Sequence, residues 1–272
     1  MIDPREDLEM KLILDAIYQQ YHYDFRGYSV ASVRRRLSQA ARALGCEHIS
    51  ALQGEVLKSP QSFGILLQYL TVQVSDFFRD PSYFLCFRER IVPVLRTYPS
   101  LKVWIAGCST GEEVYSFAIL LREEGLLEKT ILYATDINPE ALRAAEAGIY
   151  PLDRVKAFTQ NHQGSGAPCS LAAYYTANYG SAVFDRTLRK NVVFADHSLA
   201  TDAVFAETQV ISCRNVLIYF DRTLQDRAVA LFRDSLCPRG FLGLGAKESL
   251  RFSAHEPVFE TFMREERWYQ RR

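Results

Sequence analysis

The chain has 272 residues, 48% of them hydrophobic and 24% charged, which is ordinary for a globular protein with one large or two modest domains. Lys plus Arg and Asp plus Glu both total 32, and this zero net charge disfavours a general nucleic-acid binder, which needs a basic excess. No apolar run reaches the roughly 18 residues of a membrane span, so we expect no membrane insertion.

The N-terminus and the cysteines indicate a cellular compartment. Residues 1–7 are polar and acidic and do not resemble a signal peptide. The six cysteines are scattered, with no C-x-x-C pair, which argues against a zinc site and against a disulfide framework. We therefore expect a cytoplasmic protein that holds no metal.

Up to about residue 90 the chain carries helical signals only. Val33, Leu37 and Ala40 recur at helical spacing, and the pattern stops at Gly45, a residue that commonly ends helices. The pair at positions 80–81, Asp-Pro, predicts the start of a further helix. We expect an all-helical N-terminal domain over residues 1–90.

The pattern changes to α/β over residues 91–272. A β-type run at 101–106 is followed by a glycine-bounded turn, a helix, and a second apolar run that ends at Asp136. This order predicts a βαβ unit and a Rossmann-like sheet. Residues 160–172 are predicted to be a loop, and short strands over about 174–194 are predicted to form a small inserted β-subdomain.

The turn at residues 107–111, Gly-Cys-Ser-Thr-Gly, is the first candidate site. Glycines after a strand let a nucleotide-like ligand approach the backbone and the helix N-terminus, and Asp136 is placed to accept hydrogen bonds from ribose hydroxyls. Taken alone, the same residues fit a tight turn and an acid at a helix start equally well.

The turn also matches G-x-S-x-G, the nucleophile elbow of serine hydrolases, with Ser109 as the nucleophile. Asp136 and either His197 or His255 would complete a triad. Only helical signals precede this turn, however, and two glutamates follow it, so their charges would oppose an oxyanion. We regard a hydrolase as the lesser alternative.

Two further stretches place polar residues beside predicted elements. Arg79 follows two aromatic residues and could bind a carboxylate through a bidentate fork. Arg214 and Asn215 end a predicted strand, and Tyr219 follows four residues later. Because ligands of open α/β sheets bind at the carboxyl ends of the strands, we expect these residues to share a crevice with the glycine turn. A capped strand end without ligand is the alternative for this stretch.

Together these stretches resemble the chemotaxis-receptor methyltransferase (CheR) family, in order along almost the whole chain. The matching segments are residues 71–80, 104–116, 134–138, 148–150, 213–221 and 240–249. The resemblance implies a helical N-terminal domain, then a Rossmann-like S-adenosylmethionine methyltransferase domain with an inserted β-subdomain. It implies methylation of glutamate carboxylates on a chemoreceptor-type signalling protein, with S-adenosylhomocysteine as the second product.

The resemblance also assigns roles to single residues. Arg79 and Glu113 would bind the methionine part of the cofactor, Asp136 would hold the ribose, and Tyr219 would lie near the methyl group. Arg79 and Tyr219 are therefore the catalytic candidates. The full set of expected cofactor residues is Gln73, Ser75, Arg79, Gly107, Glu113, Asp136, Ser198, Leu199, Arg214 and Asn215.

Three of these positions depart from the family pattern. The family usually has Asn where this chain has Gln73, Thr where it has Ser75, and Asn where it has Ser198. A cofactor-binding regulatory module without catalysis is therefore a second alternative.

A basic stripe is the expected docking surface for the receptor. Five arginines and no acid lie between positions 26 and 42, and we assign docking to Arg34, Arg35, Arg36 and Arg42. The alternative is a solvated helix face. Family members differ in whether they tether to a peptide at the receptor's C-terminus, through a lengthened, glycine-rich loop of the β-subdomain. The corresponding segment here looks short, so we expect an enzyme that needs no tether. We also expect the protein to be a monomer.

Overall fold

The computed structural model describes residues 4–251 and 253–272, so part of the N-terminal interpretation, at positions 1–3, lies outside the described residues. The chain forms two compact units. The first contains the chain up to Gln73 together with Leu199–Asp202 and Tyr219–Ala228, and the second contains the remainder. Among the described residues, no helix has the length and apolar character that crossing a membrane requires.

The first unit is helical because apolar residues recur every three or four positions and bury one face of each helix. Its four main helices are α1 (Pro4–Tyr21), α2 (Val30–Ala43), α3 (Ile49–Lys58) and α4 (Pro60–Leu70). Fully buried members of its core include Ile13, Ile17, Leu37, Leu52 and Leu66. Helix α4 begins where the Ser59 hydroxyl caps it and Pro60 takes the first helical position.

The second unit is built on a seven-stranded sheet in the order β6-β2-β1-β7-β8-β10-β9. Its strands are β1 (Leu101–Ala106), β2 (Thr130–Asp136), β6 (Val192–Asp196), β7 (Thr208–Cys213), β8 (Leu236–Leu244), β9 (Phe259–Met263) and β10 (Trp268–Arg271). The first five in this spatial order are parallel, and β10 pairs antiparallel with both β8 and β9. Strand order reverses at β1, so the carboxyl ends of β1 and β7 form the expected ligand crevice of such a sheet.

The helices that accompany this sheet follow the βα rhythm predicted from the sequence. They are α5 (Pro81–Cys86), a π-helical turn (Phe87–Ile91), α6 (Val92–Leu95), α7 (Glu112–Glu123), α8 (Pro139–Ala147), α9 (Val155–Gly164) and α10 (Arg222–Ser235). The predicted α/β class is confirmed: helices first, then a Rossmann-like sheet, with a second small antiparallel sheet.

That small sheet consists of β3 (Ile149–Pro151), β5 (Ser181–Phe184) and β4 (Tyr175–Asn178), in this spatial order. It differs from the subdomain expected over 174–194 at both ends. Strand β3 joins it from upstream, whereas β6 pairs in parallel with β2 in the large sheet. Both differences arise because these strands pair with partners far away in the sequence, and such pairing leaves no signal in the local sequence.

Two other boundaries differ from the predictions. The first unit ends at Gln73 rather than at residue 90, because Phe77, Phe84 and Phe87 are fully buried in the core of the second unit. The loop expected over 160–172 begins later, since α9 continues to Gly164 and buries His162 one turn after Phe158. We predicted a loop here because the end of this helix is polar in sequence, although one of its faces is buried.

Candidate active site

The turn after β1 is one that glycine alone can form without strain. Gly107 and Gly111 have φ angles of 74° and 93°. A Cβ atom would overlap the Val216 side chain at the first position and would lie 2.7 Å from the Ala145 Cβ at the second. The turn is tied to the neighbouring strand because two of its N–H groups donate to the Thr135 carbonyl oxygen. It therefore presents backbone at the start of α7, as the sequence predicted.

Asp136 ends β2 next to this turn. Its Oδ2 accepts a hydrogen bond from the Ser109 N–H at 2.8 Å, and its Oδ1 accepts one from the Asn138 N–H at 3.0 Å. Burial raises the pKa of Asp136, and the backbone donors oppose that rise only in part. Each carboxylate oxygen has a second lone pair that can accept from a hydroxyl group. The geometry suits a ligand that carries a vicinal diol.

Arg214 lies at the centre of an ion network at the end of β7. Its side chain is 1% exposed, Nη1 donates to Glu113 Oε2 at 3.0 Å, and Nη2 donates to Asp80 Oδ2 at 2.6 Å. Glu113 also accepts a hydrogen bond from the Ser212 hydroxyl at 2.6 Å. Burial lowers the pKa of Arg214, but Glu113, Tyr83 and Asp80 together outweigh it, so the net shift is upward. The sequence placed Arg214 and Glu113 in the site but did not predict that they pair.

Arg79 contributes to this network through its backbone. Its carbonyl oxygen accepts a hydrogen bond from Arg214 Nη2 at 2.8 Å, and its own guanidinium forms no ion pair among the described residues. Phe78 and Asp80 on either side have left-handed φ angles of 49° and 56°. Such angles persist in non-glycine residues only where the surroundings impose them. Here the Phe78 N–H is held by the Ser116 hydroxyl at 2.8 Å.

Glu248 is a buried carboxylate next to the candidate site, and we did not predict it from the sequence. It is 4% exposed, and its carboxylate accepts from the N–H groups of Asn215 at 2.9 Å, Ile218 at 3.2 Å and Gly245 at 2.7 Å. Burial raises its pKa. Asn215 has a φ of 60°, so the buried carboxylate stabilises a strained loop directly after Arg214.

The remaining predicted cofactor residues are distributed over both units. In the second unit, Ser75 offers its carbonyl oxygen to Arg154, and Ser198 is half-buried. Gln73 belongs to the first unit, where its amide donates to the Thr71 hydroxyl at 3.2 Å. Leu199 and Tyr219 also belong to the first unit. The second unit therefore brings together the glycine turn with Asp136, and Arg79 with Glu113, Arg214 and Asn215.

The predicted docking stripe is divided by the fold. Arg35 and Arg42 are exposed on α2. Arg34 is half-buried and pairs with Asp7 on α1. The prediction that Arg36 belongs to an exposed docking surface is wrong: it is 5% exposed, because α2 turns this side chain inward together with Leu37.

The hydrolase alternative finds no support in the hydrogen bonds around Ser109. Asp136, the required third member of a triad, is engaged by two backbone N–H groups. The His197 ring pairs with the Ala203 carbonyl oxygen at 3.1 Å, and the His255 ring pairs with Arg233 at 3.2 Å. Neither histidine is oriented by the carboxylate that the mechanism requires.

Comparison with known proteins agrees with this architecture. Residues 73–266 match the family described as CheR methyltransferase, SAM binding domain, and residues 8–71 match CheR methyltransferase, all-alpha domain. The chain belongs to the CheR methyltransferase family. It is thus a methyltransferase that uses S-adenosylmethionine.

Several similar proteins match this chain over most of its length and most of their own. A Pseudomonas putida protein, Cher3, whose name describes it as a candidate methyltransferase, is 58% identical over 265 residues, 97% of each chain. Chemotaxis protein methyltransferase 2 of Pseudomonas aeruginosa is 29% identical over 245 residues, covering 86% of this chain and 85% of its own. The chemotaxis protein methyltransferase of Salmonella typhimurium is 28% identical over 273 residues, covering 95% and 86%.

The donor set of the second unit fits S-adenosylmethionine. Its ribose needs an acceptor for two hydroxyl groups, which the Asp136 carboxylate provides beside a turn where any Cβ would intrude. Its amino-acid part carries one positive and one negative group. The ion network contains a group of each opposite charge, the Glu113 carboxylate and the Arg214 guanidinium. Arg214 Nε is buried without a hydrogen-bond partner among the described residues, so the network retains one unused donor.

Asp136 should make cofactor affinity depend on pH. Because its pKa is raised, the carboxylate takes up its proton at a higher pH than an ordinary aspartate as the solution is acidified. The protonated form loses acceptor capacity, so S-adenosylhomocysteine should bind more weakly as pH falls. Calorimetry across the acid range measures this, and Asp136→Asn should bind about 1–3 kcal/mol more weakly at neutral pH. A pH dependence that survives in Asp136→Asn would assign it to another group.

Glu248→Gln should weaken both the fold and cofactor binding. An amide has one acceptor oxygen and would point N–H groups at the Asn215 or Ile218 N–H, leaving buried donors unsatisfied at a cost of about 1–3 kcal/mol. Denaturant unfolding and S-adenosylhomocysteine titration should both detect the change. The exposed Glu260→Gln is the matched control and should leave both quantities unaltered. Equal behaviour of the two variants would exclude a role for the Glu248 carboxylate.

Proposed function

We propose that this protein methylates glutamate side chains of a bacterial chemoreceptor-type protein and so forms glutamyl methyl esters. The family and the chemotaxis methyltransferases among the relatives support this proposal. The signalling helices of such a receptor would be met in the cytoplasm. The proposal requires an acceptor that is already nucleophilic at neutral pH.

The hydrogen bonds of the histidines support an acceptor that needs no base. Four of the five histidine rings have hydrogen-bond partners other than Arg214 and the Asp136 carboxylate: His48 with Ala51, His162 with Glu123, His197 with Ala203 and His255 with Arg233. A protonated amine acceptor would need a base to remove a proton. A glutamate carboxylate, with an ordinary pKa of about 4.3, is ionised and needs none. The site thus suits a carboxylate acceptor better than an amine.

The residues of the chain then act by positioning. S-adenosylmethionine, when bound, supplies a methyl group on a sulfonium, so one O–C bond forms, one S–C bond breaks, and no proton moves. Asp136 would hold the ribose hydroxyls, and Glu113 would hold the ammonium of the methionine part. Arg79, whose guanidinium forms no ion pair among the described residues, would orient a carboxylate, and Tyr219 is the second candidate for that task. Orientation of this kind can supply much of a rate enhancement.

The test uses S-adenosylmethionine labelled on its methyl group and purified cytoplasmic fragments of bacterial chemoreceptors. We expect label in the receptor fragment, released as methanol by mild base, and a mass increase on glutamate-containing peptides. Label that resists base would indicate an amine acceptor instead. Cofactor binding without label in any fragment would favour a regulatory module over an enzyme.

A further inference from the structure

Arg36 is a buried cation in the first unit that has no carboxylate partner among the described residues. Its Nη1 donates to the backbone oxygens of Leu70 at 2.6 Å and Tyr69 at 3.4 Å. Its Nε is buried and without a hydrogen-bond partner in the described chain. Burial lowers its pKa. Burying a charge is costly unless the surroundings stabilise it, so this position calls for an explanation other than docking.

The guanidinium packs on the ring of Tyr219. Its Cζ atom lies 4.6 Å from the ring centroid, within the range of a cation–π interaction. The flat guanidinium restricts the ring in a way that a lysine ammonium does not, because it stacks on an aromatic face. Arg36 is itself fixed by the two carbonyl oxygens at the end of α4. The Tyr219 ring therefore packs on a guanidinium that is itself held by hydrogen bonds.

The backbone around Tyr219 is held by the same unit. The Ser29 N–H donates to the Tyr219 carbonyl oxygen at 2.8 Å, and the Asp221 N–H donates to the Gly27 carbonyl oxygen at 2.8 Å. Tyr28 and Phe220 form an antiparallel bridge between these two bonds, and their rings meet edge to face at 4.9 Å. Side chain and backbone of Tyr219 are thus both anchored at the start of α2 and on its buried face.

We propose that Arg36 is a positioning residue that holds the Tyr219 ring for methyl transfer, and that it does not bind the receptor. This inference rests on the proposed function, in which Tyr219 orients the acceptor carboxylate. Loss of Arg36 would free the ring to rotate and would lower kcat. Receptor binding and cofactor affinity would stay as they are. The exposed neighbour Arg35 should behave in the opposite way and change KM for the receptor.

The experiment compares Arg36→Gln with Arg35→Gln, using a chemoreceptor cytoplasmic fragment that the wild-type enzyme methylates. We expect kcat of Arg36→Gln to fall about tenfold, with KM for the fragment and Kd for S-adenosylhomocysteine within about twofold of wild type. Arg35→Gln should raise KM at unchanged kcat. An unchanged kcat in Arg36→Gln, or a raised KM at unchanged kcat, would overturn the proposal.

A double-mutant cycle with Tyr219→Ala tests whether Arg36 acts through the tyrosine. Arg36→Gln should cost less than about twofold in that background, because the group it positions is gone. An equal loss in both backgrounds would show that Arg36 acts on its own and would refute the proposal. If Arg36→Gln does not fold, Arg36→Lys carries the same cycle, since it keeps the charge but loses the flat stacking group. Failure of the proposed function is distinguishable, because the wild-type enzyme would then form no base-labile ester.

Discussion

Arg214→Met is expected to abolish binding of S-adenosylhomocysteine and to lower the free energy of unfolding by about 3–5 kcal/mol. Methionine roughly fills the space but removes the cation between Glu113 and Asp80, the first of which is only 14% exposed on its side chain. A partly buried carboxylate without its partner is strongly disfavoured. The loss should appear both in denaturant unfolding and in calorimetric titration of the cofactor product.

The matched control is Arg143→Met. Arg143 pairs with Glu140 one helical turn away, and both side chains are well exposed, at 66% and 60%. Exposed pairs of this kind contribute about 0–1 kcal/mol, so the control should bind and unfold like wild type. If Arg214→Met lost no more stability than Arg143→Met, the ion network would not be the structural centre of the site.

Much of the fold could be predicted because its signals are local. Residues 101–106 and the run ending at Asp136 form strands β1 and β2 as predicted, since short apolar runs bounded by turn residues favour buried strands. Gly107 was identifiable because a turn directly after a strand needs left-handed backbone. Each of these inferences depends on a few neighbouring residues.

Features that depend on distant residues were not predictable in the same way. Strand β3 is recruited into the small sheet from a position more than twenty residues before β4, and no local pattern announces that pairing. Glu248 satisfies backbone N–H groups from two separate loops, so its burial is explained only by tertiary structure. Its stretch was recognised as family-like, yet the residue itself had no distinguishing signal.

Arg36 differs, because the signal that places it inside was present in the sequence. It lies three residues after Val33 and four before Ala40, both of which are buried, so helical periodicity alone turns it toward the core. We assigned Arg36 to the docking surface because of its charge and did not consider which face of the helix it occupies. Position on the helix was the better guide, and only Arg35 and Arg42 remain as exposed candidates on this stripe.

Charge reversal at both, Arg35→Glu with Arg42→Glu, is expected to lower kcat/KM for a chemoreceptor fragment by about two orders of magnitude. Placing like charges across an interface costs several kcal/mol. Affinity for S-adenosylhomocysteine should not change, because Glu113 and Asp136 belong to the second unit and neither arginine does. The chain has no net charge, so attraction of an acidic helix must come from local cations such as these.

The control variant, Arg143→Glu with Arg264→Glu, makes the same change in net charge at exposed positions of the second unit and should remain fully active. Raised salt should inhibit the wild type and should partly restore activity to the double reversal at α2. Salt screens the attraction to an acidic helix in the first and the repulsion in the second, beyond a Debye length of about 8 Å at physiological ionic strength.

Strands β4 and β5 are joined by a two-residue turn, Tyr179 and Gly180, with φ angles of 43° and 77°. Such a turn leaves no lengthened loop to hold a tether peptide, so removal of the receptor's last five residues should not reduce methylation. Micromolar binding of that pentapeptide would place docking on the β-subdomain, and full activity after reversal at Arg35 and Arg42 would exclude α2 as the docking surface.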